Sequence, residues 1–298
     1  LTNKASSEME GRVLYCLIVL YYFVIQCFTV EIVEIRQTEK ECYGTRNGFT
    51  LSGSPDDHYK RLKEMYTGCT YIQGNLELTF LESKNFDLSF LSTVRVVTGY
   101  VFIALVYVDK IPLTSLKLIR GDTTYEYQGE RYSLFVVVNS PRQPTGKGLK
   151  ELHLPQLAEI SNGKVFFRAN RELCFINTIL WSDIVDDKSK SAVVIEDGGY
   201  SQNCPPCPNT CKEKRCWSNS EYLCQEVRQP ECEPICQGRC YDSIFLSCCH
   251  PECAIGCTGP FATDCTMCKH YHFGNKCVKE CPEGTYPNSQ MCEAFPSF

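Results

Sequence analysis

Histidine and tryptophan are scarce in this 298-residue chain, at five and two copies, and neither sign of charge dominates, with 30 basic against 35 acidic side chains. The near balance, a net charge of −5 with no basic stripe, argues against nucleic acid as a partner. No G-x-S-x-G, H-R-D or D-F-G motif is present, and Gly146-Lys147-Gly148 is too short for a phosphate-cradling loop. The five histidines offer little for a catalytic triad: His58 opens an expected helix, His153 falls on an expected strand, and His250, His270 and His272 stand among cysteines. The paired acids Asp56/Asp57 and Asp186/Asp187 read as solvated turns. An Asn-x-Ser/Thr acceptor for glycans is missing too, since Asn139-Ser140-Pro141 fails at its third position. No catalytic site, cofactor or metal is therefore expected, and the chain reads as a non-enzyme.

Long apolar runs are equally rare. The one near the start, Val13–Ile25, follows Arg12 and reads as the core of a secretory leader starting at Met9, with residues 1–29 removed. A signal anchor is the alternative, since extension to Val30 gives about 18 residues, the lower edge of a membrane span. Further on, Val94–Val108 is interrupted by Arg95 and Gly99, and its β-branched and aromatic content reads as buried strand. The mature chain is expected to be extracellular, with no membrane contact.

Cysteine is present in quantity but unevenly. Of 22 cysteines, seventeen lie between Cys204 and Phe298, and five precede them. Such density belongs to an oxidising compartment. Without Cys16 and Cys27 of the leader the number is even, as full pairing requires. The composition shift divides the chain into 1–29, 30–203 and 204–298.

The middle part repeats. Gly74, Gly99, Gly121 and Gly163 each open a short strand-like segment, and leucine-rich stretches at 87–94, 111–119 and 149–160 punctuate them. A period of about 20–29 residues with one strand per turn is the mark of a stacked solenoid, whose ends need caps. A parallel α/β sheet is disfavoured because the gaps are too short for βα units. An extra strand is expected at Leu134–Val138, followed by a loop at 139–148. An amphipathic helix is expected at Asp56–Tyr66 with Leu62, Met65 and Tyr66 inward, and Cys42 and Cys69 flank it as a staple.

From Cys204 onward apolar content is thin, so crosslinks replace a core. The recurring three- and seven-residue gaps suggest interlocked pairs of bridges stacked into a rod, although spacing alone leaves connectivity open. Zinc is the rival chemistry, but Cys204/Cys207 and Cys265/Cys268 stand too far apart in sequence for a zinc ribbon. The histidines nearby read as exposed loop residues.

The phrases NLELTF, NFDLSFLSTVRVVTGYVFIAL, IPLTSLKLIRG, GLKEL and LCFINTILWSDIV resemble the first L domain of the epidermal growth factor receptor family. Lys40–Asn47, KECYGTRN, matches its opening, and Cys248–Cys265 is similar to the furin-like cysteine-rich domain that follows. The resemblance implies a mainly β fold: a right-handed β-helix, then a rod of small cysteine knots. It implies the pairs Cys42–Cys69, Cys174–Cys204, Cys207–Cys216, Cys211–Cys224, Cys232–Cys240, Cys236–Cys248, Cys249–Cys257, Cys253–Cys265 and Cys268–Cys277, which leaves Cys281 with Cys292. Trp217 matches a tryptophan that locks the rod into the open end of the L domain. Members of the family bind a small polypeptide growth factor, and the matching contact positions are Phe49, Leu51, Phe80, Leu105 and Glu126. Phe80 stands where the family has tyrosine and Leu51 where it has glutamine, so ligand preference is expected to differ. Only nine residues separate Pro282 from Cys292, so the dimerisation arm of the family is not expected, and Cys268–Tyr286 instead resembles insulin-receptor-type proteins. The chain thus reads as the ligand-binding part of a growth factor receptor or a secreted decoy, with an insulin-receptor-like fragment as the alternative.

Overall fold

The computed structural model describes residues 40–296 apart from 142–147, 187–191, 197, 228–231, 234, 237–238 and 244–245. The expected leader, Asp187 and most of the loop at 139–148 lie outside the described residues. Among the described residues, no helix is long and apolar enough to cross a membrane.

Strand β1 (Glu41–Tyr43) is followed by helix α1 (Pro55–Tyr66). Ser54 caps α1 by accepting the Asp57 backbone N–H, and Pro55 occupies the first turn, where its missing N–H is no loss. The buried stripe is His58, Leu62 and Tyr66, spaced four apart, while Met65 is 38% exposed. This corrects the expected inward set: the helix rotates so that an imidazole and not the thioether faces the strands.

Beyond α1 the chain shuttles between two parallel sheets. The first holds β1, β2 (Tyr71–Gln73), β4 (Val96–Val97), β7 (Leu118–Ile119) and β11 (Glu159–Ile160). The second holds β3 (Leu76–Leu81), β5 (Val101–Val106), β9 (Glu130–Val137), β12 (Lys164–Arg168) and β13 (Val193–Ile195). A third side is the parallel pair β6 (Lys110–Pro112) and β10 (Glu151–His153). Each circuit therefore adds one strand per sheet. The apolar stretch at 94–108 is two strands, β4 and β5, broken at Thr98-Gly99 where the chain passes from one sheet to the other.

Alternation decides what each sheet buries. Ile72, Val97, Ile119 and Ile160 of the first sheet meet Leu78, Ile103, Val136 and Phe167 of the second in one shared core. At the corner after the second sheet the chain turns through left-handed residues: Phe80, Leu105, Val138 and Ala169 have φ of 54, 56, 51 and 55°. Asn139 and Asn170, fully buried just past two of these turns, satisfy the freed backbone. Asn139 accepts the Val106 N–H at 2.9 Å and donates to the Ile103 carbonyl at 3.1 Å and to Asn170 Oδ1 at 3.0 Å. Asn170 donates in turn to the Val136 carbonyl at 2.9 Å.

From Cys204 the fold rests on covalent pairs. Cys207–Cys216 interleaves with Cys211–Cys224, Cys232–Cys240 with Cys236–Cys248, and Cys249–Cys257 with Cys253–Cys265. Cys268–Cys277 and Cys281–Cys292 follow, while Cys42–Cys69 ties β1 to the end of α1 and Cys174–Cys204 joins the two parts. Loops of 8 to 13 residues closed this way each remove about 2–3 kcal/mol of unfolded-chain entropy. A hairpin of β14 (Cys253–Cys257) and β15 (Cys265–Cys268) precedes a four-stranded sheet of β16 (Tyr271–Phe273), β17 (Lys276–Val278), β18 (Thr285–Asn288) and β19 (Met291–Ala294).

This cysteine-rich part covers the outer side of the first sheet. Ala254, Ile255 and Met267 pack on Tyr71, Val96, Leu118 and Ala158. Arg239 forms a buried pair with Glu159 at 2.9 Å and donates to the carbonyls of Asp183 and Ala158, while the Ile255 N–H reaches the same Glu159 oxygen at 2.7 Å. Trp217, 1% exposed, enters the shared core and meets Trp181 edge-on at 5.7 Å. Asp186 is no solvated turn: it is half-buried and pairs with Lys269 at 3.5 Å.

Candidate ligand-binding face

With the first sheet covered, the outer side of the second sheet carries its own aromatic cluster. Phe102, Phe135 and Phe166 occupy one register row of β5, β9 and β12. Their rings stack at 5.8 and 4.9 Å. Strand β8 (Tyr125–Tyr127) folds back antiparallel on β9 through Gln128-Gly129, both with positive φ, and lays Tyr125 over Phe102 at 4.7 Å and Tyr127 over Phe135 at 5.4 Å. The stack is thus a second, small core, closed by a hairpin and not open to solvent.

Its margin is where the expected contact residues fall. Phe49, 48% exposed, meets Phe102 edge-on at 5.1 Å. Its loop is held by the buried Glu77 carboxylate, which accepts the Asn47 and Gly48 N–H groups at 2.5 and 3.0 Å and the Tyr100 hydroxyl at 2.8 Å. Burial, and then that bond to Glu77, hold the Tyr100 hydroxyl well above the ordinary tyrosine range. Leu51 is half-buried just before the α1 cap.

Phe80 and Leu105 occupy equivalent places at the ends of adjacent strands, directly after the partners Thr79 and Ala104. Strict alternation would send both inward, after Leu78 and Ile103. The left-handed turn breaks the alternation, leaves both half-exposed and sends Leu81 and Val106 into the core instead. Glu126 is exposed on β8, opposite Arg131 across the hairpin.

Glu77, Tyr100 and Tyr125 organise this face and carried no signal in the sequence reading. The available hint was Glu77 standing among apolar residues of a strand, where a buried carboxylate needs donors. Among the described residues, the only metal-capable trio of this kind is Cys268, His272 and Cys277, with ligand atoms within 4.8 Å, and its two sulfurs are already bonded to each other. The histidines of the cysteine-rich part are half-buried, not exposed: His270 pairs with Glu252 at 2.6 Å and His272 lies on β16.

Comparison with known proteins now applies to both parts. The receptor L domain family matches residues 68–185, and the furin-like cysteine rich region matches residues 196–296. Residues 68–185 are a receptor L domain and residues 196–296 a furin-like region, and together they are similar to the corresponding part of epidermal growth factor receptors. Receptor tyrosine-protein kinase erbB-2 of Mus musculus is 38% identical over 265 residues, 85% of this chain and 20% of that protein. The epidermal growth factor receptor of Drosophila melanogaster is 37% identical over 246 residues, 82% of this chain and 17% of that protein. That of Gallus gallus is 39% identical over 266 residues, covering 89% and 36%. The chain therefore spans between about a sixth and a third of the length of these relatives, and the matched residues form their L domain and furin-like regions. Both regions, with their ten disulfides, are of extracellular type.

Proposed function

We propose that this chain is the ligand-capturing part of a growth factor receptor, with a right-handed β-helical L domain at residues 30–203 and a cysteine-rich rod at 204–298. A small polypeptide growth factor docks on the outer side of the second sheet, against Phe49, Leu51, Phe80 and Leu105, with Glu126 pairing a basic residue of the ligand. The observation that carries the reading is the half-exposed pair Phe80 and Leu105, held at equivalent ends of adjacent strands of the sheet whose Phe102 meets exposed Phe49. Apolar anchors with a charged rim are what a protein interface requires. Trp217 keeps the rod at a fixed angle to this face. The family kinship supports the ligand class. The short β18–β19 hairpin closed by Cys281–Cys292 supports capture without arm-mediated pairing of two copies.

Titration of the oxidised chain with an epidermal-growth-factor-like polypeptide tests this. Phe49→Ala is expected to weaken binding by about five-fold or more, as for an interface anchor. Glu126→Gln is expected to weaken it by roughly two- to five-fold, the size of an exposed ion pair. Glu126→Gln should not shift the melting temperature measurably, whereas Phe49→Ala lowers it by a few degrees at most through loss of the ring contact with Phe102. Gln is the cleaner replacement, because an arginine at 126 would face Arg131 directly. Unchanged affinity in both variants would remove the proposed face.

A further inference from the structure

Two Asn-Gly pairs occur in the described residues, and they sit in opposite surroundings. Asn162 is tethered through its side chain, which donates to the Gly121 carbonyl at 2.9 Å, and a Cβ on Gly163 would meet Ser133 Oγ at 2.5 Å. Asn47 is exposed, and its backbone donates to Glu77 and accepts from Thr50. Gly48 has φ of +53° and open space for 4 Å around the position of a Cβ. Its N–H points at Glu77 Oε1, 3.0 Å away, within the reach of a general base.

We propose that Asn47-Gly48 is a self-modifying site, at which Glu77 assists spontaneous conversion of Asn47 to aspartate and isoaspartate. The Gly48 nitrogen attacks the Asn47 side-chain carbonyl carbon as Glu77 takes its proton. The Cγ–Nδ2 bond breaks, and ammonia leaves carrying that proton. The resulting five-membered imide adds water at either carbonyl and opens to a carboxylate, with no oxidant or reductant involved. Glycine is required because a Cβ would crowd the ring closure. The product places a new carboxylate beside Glu77, and the isoaspartate form adds a methylene to the backbone. Like charges and a lengthened turn then loosen the loop that presents Phe49. The effect on growth factor capture rests on the function proposed above, whereas the chemistry does not.

The oxidised chain is incubated at neutral pH and body temperature, then digested and read by mass spectrometry. The peptide with Asn47 is expected to gain the amide-to-acid mass and to split into aspartate and isoaspartate forms. Asn162 should convert at least about ten-fold more slowly, because its side chain is held away from attack. Glu77→Gln should slow conversion at Asn47 by about ten-fold or more, and Gly48→Ala should nearly abolish it. Conversion at Asn162 ahead of Asn47, or an undiminished rate in both variants while hydrogen exchange of β3 is unchanged, overturns the proposal. Conversion at Asn47 with unaltered growth factor affinity upholds the chemistry and overturns the binding role of that loop.

Discussion

His58 is an imidazole packed where a leucine would be unremarkable. Burial lowers its affinity for a proton below the ordinary value of 6.5, the Thr79 carbonyl opposes this, and Arg61 adds to it. Its Nε2 has no partner in the interior. The unfolded chain therefore binds the proton more readily than the folded one. The stability this contributes is complete above about pH 6.5 and is lost as pH falls toward the lower folded value. The melting temperature is expected to fall on acidification below pH 6.5, and His58→Gln should flatten that slope; an unaltered slope would show that other groups carry it. At this level the sequence was legible wherever periodicity speaks, as with Leu62 and Tyr66. It was not legible for His58, Met65 or Asp186, whose surroundings are made by residues distant in the chain.

The corner after the second sheet depends on a few side chains. Replacing Asn139 with alanine strands the buried Val106 N–H and removes the side-chain donor to Asn170 Oδ1, which keeps only the residue 139 backbone N–H at 3.3 Å. The expected loss is about 2–4 kcal/mol, read as a lower denaturant midpoint with the slope unchanged. Retention of full stability would mean that water replaces the amide. The repeating strands were visible because glycine and leucine recur at a steady period. The asparagine corners were not, since each is one polar residue per circuit and its partners are backbone groups of neighbouring turns. The β8–β9 hairpin was missed for a related reason: Gln-Gly is a weak turn signal beside Asn-Gly or Asp-Gly, yet both residues adopt the positive φ of a tight hairpin.

For the molecule taken together, the junction is held by one buried ion pair as well as by apolar contact. Removing the cation with Arg239→Ala leaves Glu159 buried with only the Ile255 N–H from the cysteine-rich part. A loss of about 3–5 kcal/mol is expected, the magnitude for breaking such a pair. Hydrogen exchange should accelerate at β11 and β14 while β5 and β9 stay protected; protection kept at β14 would show that the apolar contacts suffice. Two-part organisation was plain from cysteine distribution, because crosslink density and core volume are compositional. That Arg239 and Glu159 meet was not plain, as 80 residues separate them and neither differs in type from any surface charge.

The seating of Ala254, Ile255 and Met267 on the first sheet has a practical corollary. One flank of the L domain is sealed by the chain's own tail, so a partner of the proposed face arrives from the opposite flank. A label or fusion partner hung from the tail's outward side should leave capture untouched, whereas one hung from the Gln128-Gly129 tip would stand in the doorway.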